Sequence, residues 1–126
     1  MATTLKDLLS AAHAVVPAIT PADAAALVEK ADALIVDVRD GTEVAASGKV
    51  KGAIAVSRGV LEMRADPASS SHNAAFRKDR PVILYCGGGG RAALAGKTLL
   101  DLGFKDVRNL GGFKDWVGAG GPIEPG

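Results

Sequence analysis

Apolar residues fall along this chain in two rhythms. Short unbroken runs, ALIVDV (33–38), AIAV (53–56) and PVILY (81–85), are flanked by charged or turn-forming residues. Runs of that length and character predict strands covered on both faces. Between them the apolar positions recur at helical spacing. TPADAAALVEK (20–30) begins with Thr20 as a cap and Pro21 at the first helical position. DGTEVAASG (40–48) predicts one short helix closed by Gly48, and GVLEMRA (59–65) another. RAALAGKTLLDLG (91–103) is the clearest helix, with Leu94, Ala95, Thr98, Leu99 and Leu102 along one face and Gly103 as its stop.

The remaining segments complete the outline. VVPAI (15–19) reads as a first edge strand, since Pro17 is tolerated in a sheet only at an edge. DPASSSHN (66–73) is a loop by its Pro, Ser and Asn content. DVRNL (106–110) predicts a last strand, and GGFKDWVGAGG (111–121) a short helix running into a loose tail. MATTLKDLLSAAHAVVPAIT has Lys6 and Asp7 inside its apolar stretch and no basic start, the pattern of an amphipathic helix and not of a signal peptide. Strand and helix alternate throughout, which predicts one α/β domain: a mostly parallel five-stranded sheet with helices on both faces. The expected organisation is a helical extension over 1–14, the domain over 15–118 and a tail over 119–126.

Composition narrows the function classes. A hydrophobic content of 48% over 126 residues supports one real core. Fifteen basic and 14 acidic residues nearly cancel, so no nucleic-acid or polyanionic partner is expected. No apolar run approaches the roughly 20 residues that cross a bilayer, so no membrane partner is expected. A single cysteine cannot form an internal disulfide, which fits a reducing, cytoplasmic setting.

That cysteine carries the candidate chemistry. LYCGGGGRAALAG (84–96) sets Cys86 at the end of a strand, then Gly87, Gly88, Gly89 and Gly90, then Arg91 in the first turn of a helix. In parallel α/β sheets ligands bind beyond the carboxyl ends of the strands. The free N–H groups of a helix start favour an anion, and Arg91 adds positive charge, so both favour the thiolate over the thiol. Without Cβ atoms, residues 87–90 are free to take left-handed or restricted conformations and to turn their N–H groups inward around the sulfur. A lone cysteine is more often a small buried hydrophobe. The ordered set of strand, cysteine, glycine loop, arginine and helix favours function.

At these residues the chain resembles the rhodanese family of sulfurtransferases in its single-domain form. LIVDVRDGTEVAASGKVKGAIAV is similar to the family's first motif, an apolar strand ending in Asp-Val-Arg followed by an acidic residue and a glycine-rich turn. VILYCGGGGRAALAGKTLLDLGFKDVRNLGGFKDW is similar to the second: cysteine loop, helix, Leu-Gly-Phe turn and closing Gly-Gly-x-x-x-Trp. The resemblance implies transfer of sulfane sulfur through a Cys86 persulfide, from a small anionic donor such as thiosulfate to cyanide or a thiol. It implies that the amides of residues 87–91 hold the outer sulfur, and that no metal or organic cofactor is required. Related phosphatases use a longer Cys-x5-Arg loop, whereas Cys86 to Arg91 spans six residues. A phosphatase or arsenate reductase is therefore the weaker alternative, beside a non-enzymatic interaction module that has kept its cysteine. Positions 87–90 lack the basic or polar side chain common in the family, and Lys49 stands where a histidine is often found.

Other residues are weighed on their own chemistry. Arg58, beyond the AIAV strand, either helps bind an anionic donor or pairs with Glu62 one helical turn on. Asp37 is expected to bond loop amides, and Arg39 either to lie near the pocket or to pair with Glu43. His13 and His72 lack metal-ligand spacing. Phe113, Trp116 and Tyr85 are expected to pack against the sheet.

Overall fold

Strands β1 (Leu34–Asp37), β3 (Ile54–Ala55), β4 (Val82–Cys86) and β5 (Val107–Gly112) form an all-parallel sheet in the order β3-β1-β4-β5. This computed structural model describes residues 2–126. Every residue of β1 and β4 is buried, as their unbroken apolar runs require. Side chains alternate between the two faces. Leu34, Val36, Val82, Leu84 and Cys86 enter one core, with Ala92, Ala95 and Leu99 of helix α5 (Gly90–Asp101). Ile35, Ile83 and Tyr85 enter the other, with Ala24, Leu110 and Trp116. The period of two along β4 thus decides that Cys86 faces α5.

Helix α1 (Leu5–Val15) is closed by a reciprocal cap: Asp7 N–H donates to Thr4 Oγ1 at 3.1 Å and Thr4 N–H to Asp7 Oδ2 at 2.9 Å. It packs along α5. The strand expected over 15–19 is a correction. The helix runs through Val15, and the segment meets β5 at one bridge, Ala18 with Asn109. Asn109 N–H donates to Pro17 O at 2.8 Å and Ile19 N–H to Asn109 O at 3.0 Å. Pro17 has no N–H with which to extend that ladder. Among the described residues the sheet therefore has four strands, with a single bridge at the fifth position.

Helix α2 (Pro21–Ala31) starts on Thr20, whose hydroxyl accepts from Asp23 N–H. Helix α3 (Gly41–Ser47) leads to β2 (Lys49–Val50), and a 3-10 turn at Arg58–Val60 precedes α4 (Leu61–Ala65). The loop expected over 66–73 is irregular, and beyond it Phe76 is buried edge-to-face on Phe104.

After α6 (Phe113–Gly118) the tail is docked, not loose. Trp116 Nε1–H donates to Pro122 O at 2.8 Å, and β6 (Ile123–Glu124) pairs antiparallel with β2. An ion pair between Lys49 and Glu124 closes that ribbon. A buried indole needs a partner for its N–H, and the chain turns back under it to provide one. Among the described residues no helix is long and apolar enough to cross a membrane.

Candidate active site

Cys86 ends β4 and is almost fully buried, at 1% exposure, while Gly87 and Gly88 beside it are exposed. Gly89 caps α5 and donates its N–H to the Cys86 sulfur at 2.9 Å. A preorganised donor aimed at sulfur favours negative charge there. The first turn of α5 contributes further N–H groups without intrahelical partners.

The four glycines face different surroundings. Only Gly89 has a positive φ, +99°, so the conformational demand expected across 87–90 falls on this one residue. A Cβ there would also lie 3.4 Å from Gly111 Cα. At Gly87 a Cβ would sit 3.2 Å from Arg91 Nη2, and at Gly90 it would meet Leu9 at an ordinary 3.6 Å. Gly88 faces open space.

The loop rests on the end of β5. The pairing shifts register after Leu84, so that Tyr85 lies opposite Gly111 and Cys86 opposite Gly112. The bulge inserts Leu110, and Gly111 continues at φ +94°. Gly112 then packs its Cα against the Gly87 carbonyl, where no side chain fits. Asn109 joins the two segments. Its Nδ2–H donates to Gly89 O at 3.1 Å and its Oδ1 accepts from Gly111 N–H at 2.8 Å. Asn109 is absent from the residues expected at the site. It is one of three buried polar or charged residues among those described, and in the strand VRNLGG nothing local sets it apart from its polar neighbour Arg108.

Arg91 stands in the first turn of α5 as expected, with its charge already partnered. Its Nη1 and Nη2 donate to Glu43 Oε2 and Oε1 at 2.7 and 2.9 Å. Glu43 Oε2 also accepts from Asp40 N–H at 3.0 Å, at the start of α3. Bonding to Arg91 above all, and then to the Asp40 amide, holds the Glu43 carboxyl down to about 2. The same pair raises the Arg91 guanidinium above its ordinary range. Of the two alternatives for Arg39, the one that paired it with Glu43 is corrected, because Arg91 occupies both oxygens of that carboxylate.

Arg39 is bound instead to Asp37. The Asp37 carboxylate accepts from Arg39 N, Nε and Nη2, the last at 2.7 Å. Nη1 and Nη2 of Arg39 continue to Ser47 Oγ and Gly48 O, and the guanidinium lies 4.4 Å from the Phe113 ring centre. The cluster is buried and fully bonded, and it ties β1 to the turn after α3. Tyr85 stacks on Phe113, and its hydroxyl accepts from Val50 N–H at 3.0 Å. Burial, reinforced by Asp37, pushes its phenol above the ordinary range.

Arg58 is placed apart from the loop. It bonds Glu62 at 2.9 Å and Thr98 Oγ1 at 2.9 Å, eight residues or about 12 Å along α5 from Gly90. There it lines a groove of about 320 Å³ with Leu8, Ala11, Leu94 and Lys97, sharing no residue with the glycine loop. Among the described residues no cluster of His, Cys, Asp and Glu could hold a metal ion.

Comparison with known proteins agrees with this architecture. The family model for the rhodanese-like domain matches residues 20–119. A sulfurtransferase from Allochromatium vinosum is 35% identical over 98 residues, covering 77% of this chain and 83% of that protein. A solved structure from Rhodopseudomonas palustris, of a protein of unknown function described as a possible tyrosine phosphatase, is 41% identical. It superposes with a TM-score of 0.89 over 98% of this chain and 96% of that one. The polysulfide-sulfur transferase homodimer of Wolinella succinogenes is 37% identical, with a TM-score of 0.75 over 96% and 87% of the two chains. A parallel sheet that delivers a cysteine to a glycine loop at a helix start, together with a family match across four-fifths of the sequence, leads to one conclusion: the chain belongs to the rhodanese-like domain family.

Proposed function

We propose that the protein is a sulfurtransferase that carries sulfane sulfur on Cys86. The observation that carries this reading is the Gly89 N–H aimed at the Cys86 sulfur from 2.9 Å. A donor so placed favours sulfur that bears negative charge, either as the attacking thiolate or as the terminal sulfur of a persulfide. With thiosulfate as donor, the Cys86 thiolate attacks the outer sulfur. A Cys86–sulfur bond forms, the sulfur–sulfur bond of thiosulfate breaks, and its electron pair leaves with sulfite. Cyanide or a thiolate then attacks the outer sulfur of the persulfide, and the Cys86 thiolate departs. Neither step consumes an oxidant or a reductant.

The loop from Gly87 to Arg91 would hold the transferred sulfur through its amides. Similarity to a sulfurtransferase supports the reaction class. Cys86 to Arg91 spans six residues, one fewer than the Cys-x5-Arg loop of cysteine phosphatases, which counts against phosphate as the substrate.

The test is the intact mass of the reduced protein after incubation with thiosulfate, beside Cys86→Ser. A gain of one sulfur atom in the wild type alone, removed by cyanide, is the expected result. A gain of equal size in Cys86→Ser would overturn the assignment.

A further inference from the structure

The loop's only side-chain charge is already neutralised. Positions 87–90 contribute none, and Arg91 gives both terminal nitrogens to the two oxygens of Glu43. The pair lies on the loop itself: a Cβ at Gly87, next to Cys86, would be 3.2 Å from Arg91 Nη2 and 3.9 Å from Glu43 Oε1. Glu43 is not free to swing aside, because the Asp40 amide at the start of α3 holds it as well. A second carboxylate stands on the opposite side. Asp115 Oδ2 accepts from Gly112 N–H at 3.0 Å, and Gly112 abuts the Gly87 carbonyl. An incoming anion thus meets a bidentate ion pair, and to claim Arg91 it must displace one of the stronger hydrogen-bonding arrangements available to a guanidinium.

We infer that Glu43 is a charge filter for this site: by neutralising Arg91 beside Cys86, it selects against dianionic donors in favour of reagents that carry one negative charge or none. For sulfur transfer the favoured class is then the monoanionic sulfane donor, such as a thiosulfonate or a persulfide, over dianionic thiosulfate. With a thiosulfonate the balance is the same, the electron pair leaving with a sulfinate. That choice of donor rests on the sulfur-transfer reading. The filter itself does not, because it acts on any reagent that reaches Cys86.

The experiment compares wild type, Glu43→Gln and Glu43→Asp. Glutamine keeps an acceptor for the Asp40 amide and removes the charge, while aspartate keeps the charge. Cys86 is the only cysteine, so its alkylation can be followed by whole-protein mass. Iodoacetate and iodoacetamide form the same sulfur–carbon bond and expel the same iodide, and differ by one charge. Thiosulfate and methanethiosulfonate also differ by one charge. Removing a unit charge about 10 Å from the reagent, at an effective dielectric of about 40, changes such a ratio about fourfold.

The iodoacetate-to-iodoacetamide rate ratio is therefore expected to rise about fourfold in Glu43→Gln and to stay near wild type in Glu43→Asp. The thiosulfate-to-methanethiosulfonate ratio of kcat/KM is expected to move with it. A Glu43→Gln protein that changes both alkylation rates by the same factor would overturn the filter and give Glu43 a purely structural role. A shifted alkylation ratio with neither donor loading Cys86 would sustain the filter and refute the sulfur-transfer reading. A Cys86 that neither alkylating reagent reaches would refute both.

Discussion

Gly89 donates its N–H to the sulfur of Cys86 at 2.9 Å while holding a φ of +99°. The torsions of residues 86–88 set this amide on the sulfur, and the left-handed φ of Gly89 then directs the chain from the amide into α5. Within the run the left-handed φ falls on Gly89 alone, and Gly88 meets open space.

Gly89→Ala is expected to lose about 1–3 kcal/mol of stability, because alanine is strained at this angle. Sulfur transfer should fall at least about tenfold as the amide moves off the sulfur. Gly88→Ala, with open space and no positive φ, should change stability by no more than about 0.5 kcal/mol. Urea unfolding of the two variants checks the contrast. Equal losses would show that the loop has no privileged position.

Asn109 is expected to position the same peptide from β5. Asn109→Asp keeps the acceptor for Gly111 N–H, loses the donor to Gly89 O and sets a carboxylate against that carbonyl. A loss of about 1–3 kcal/mol should follow, the cost of breaking a buried polar contact. The alkylation rate of Cys86 should change with it, beyond any effect of global unfolding. Wild-type stability and reactivity in this variant would remove Asn109 from the loop's support.

The Glu43–Arg91 pair predicts a pH window. Bonds to Arg91 and then to the Asp40 amide hold the Glu43 carboxyl down to about 2 in the folded protein, against an ordinary 4.5. The folded state therefore prefers the charged form, and this stabilisation is fully present above about pH 4.5. It is lost as pH falls toward 2. Both side chains are more than one-third exposed, so solvent screening limits the gain to about 0.5–1 kcal/mol. The wild type should exceed Glu43→Gln in unfolding free energy by that amount at pH 7, and the gap should close through this window. A gap independent of pH would contradict the assignment.

Gly96 sets two effects against each other. In the middle of α5, alanine gains about 1 kcal/mol in helix propensity. Its Cβ, however, would lie 2.8 Å from Val16 Cγ1 and 3.3 Å from Val107 Cγ1. Such overpacking costs about 1–3 kcal/mol, so Gly96→Ala should be net destabilised, most visibly as a lower thermal midpoint. A raised midpoint would mean that the contact between α5 and the segment after α1 gives way easily.

Much of the molecule is determined by near neighbours in the chain. The unbroken runs at 33–38 and 81–85 have no polar position to expose, so they become strands with both faces covered. Thr20 with Pro21, Gly48 and Gly103 mark helix ends because caps and stops act within one turn. A cysteine between such a strand and such a helix reaches the carboxyl edge of the sheet whatever the rest of the chain does. The loop's identity was legible for that reason.

Tertiary structure decided what depends on partners distant in sequence. Glu43 and Arg91 lie 48 residues apart, and Asn109 and Gly89 lie 20 apart. No local rule distinguishes Glu43 as the partner of Arg91 from Glu43 as the partner of Arg39, because each pairing satisfies the same charges. The strand order makes the choice, by setting β1 and the α3 that follows it beside β4 and its loop, while Arg39 folds back onto Asp37. Residues 15–19 likewise carry strand character, but α1 claims Val15 and Pro17 withholds the donor a longer ladder would need. Sequence determined where the sulfur and its glycine loop would be. Only the assembled sheet determined which glycine must turn and which charge stands beside it, since those depend on the surfaces that packing brings together.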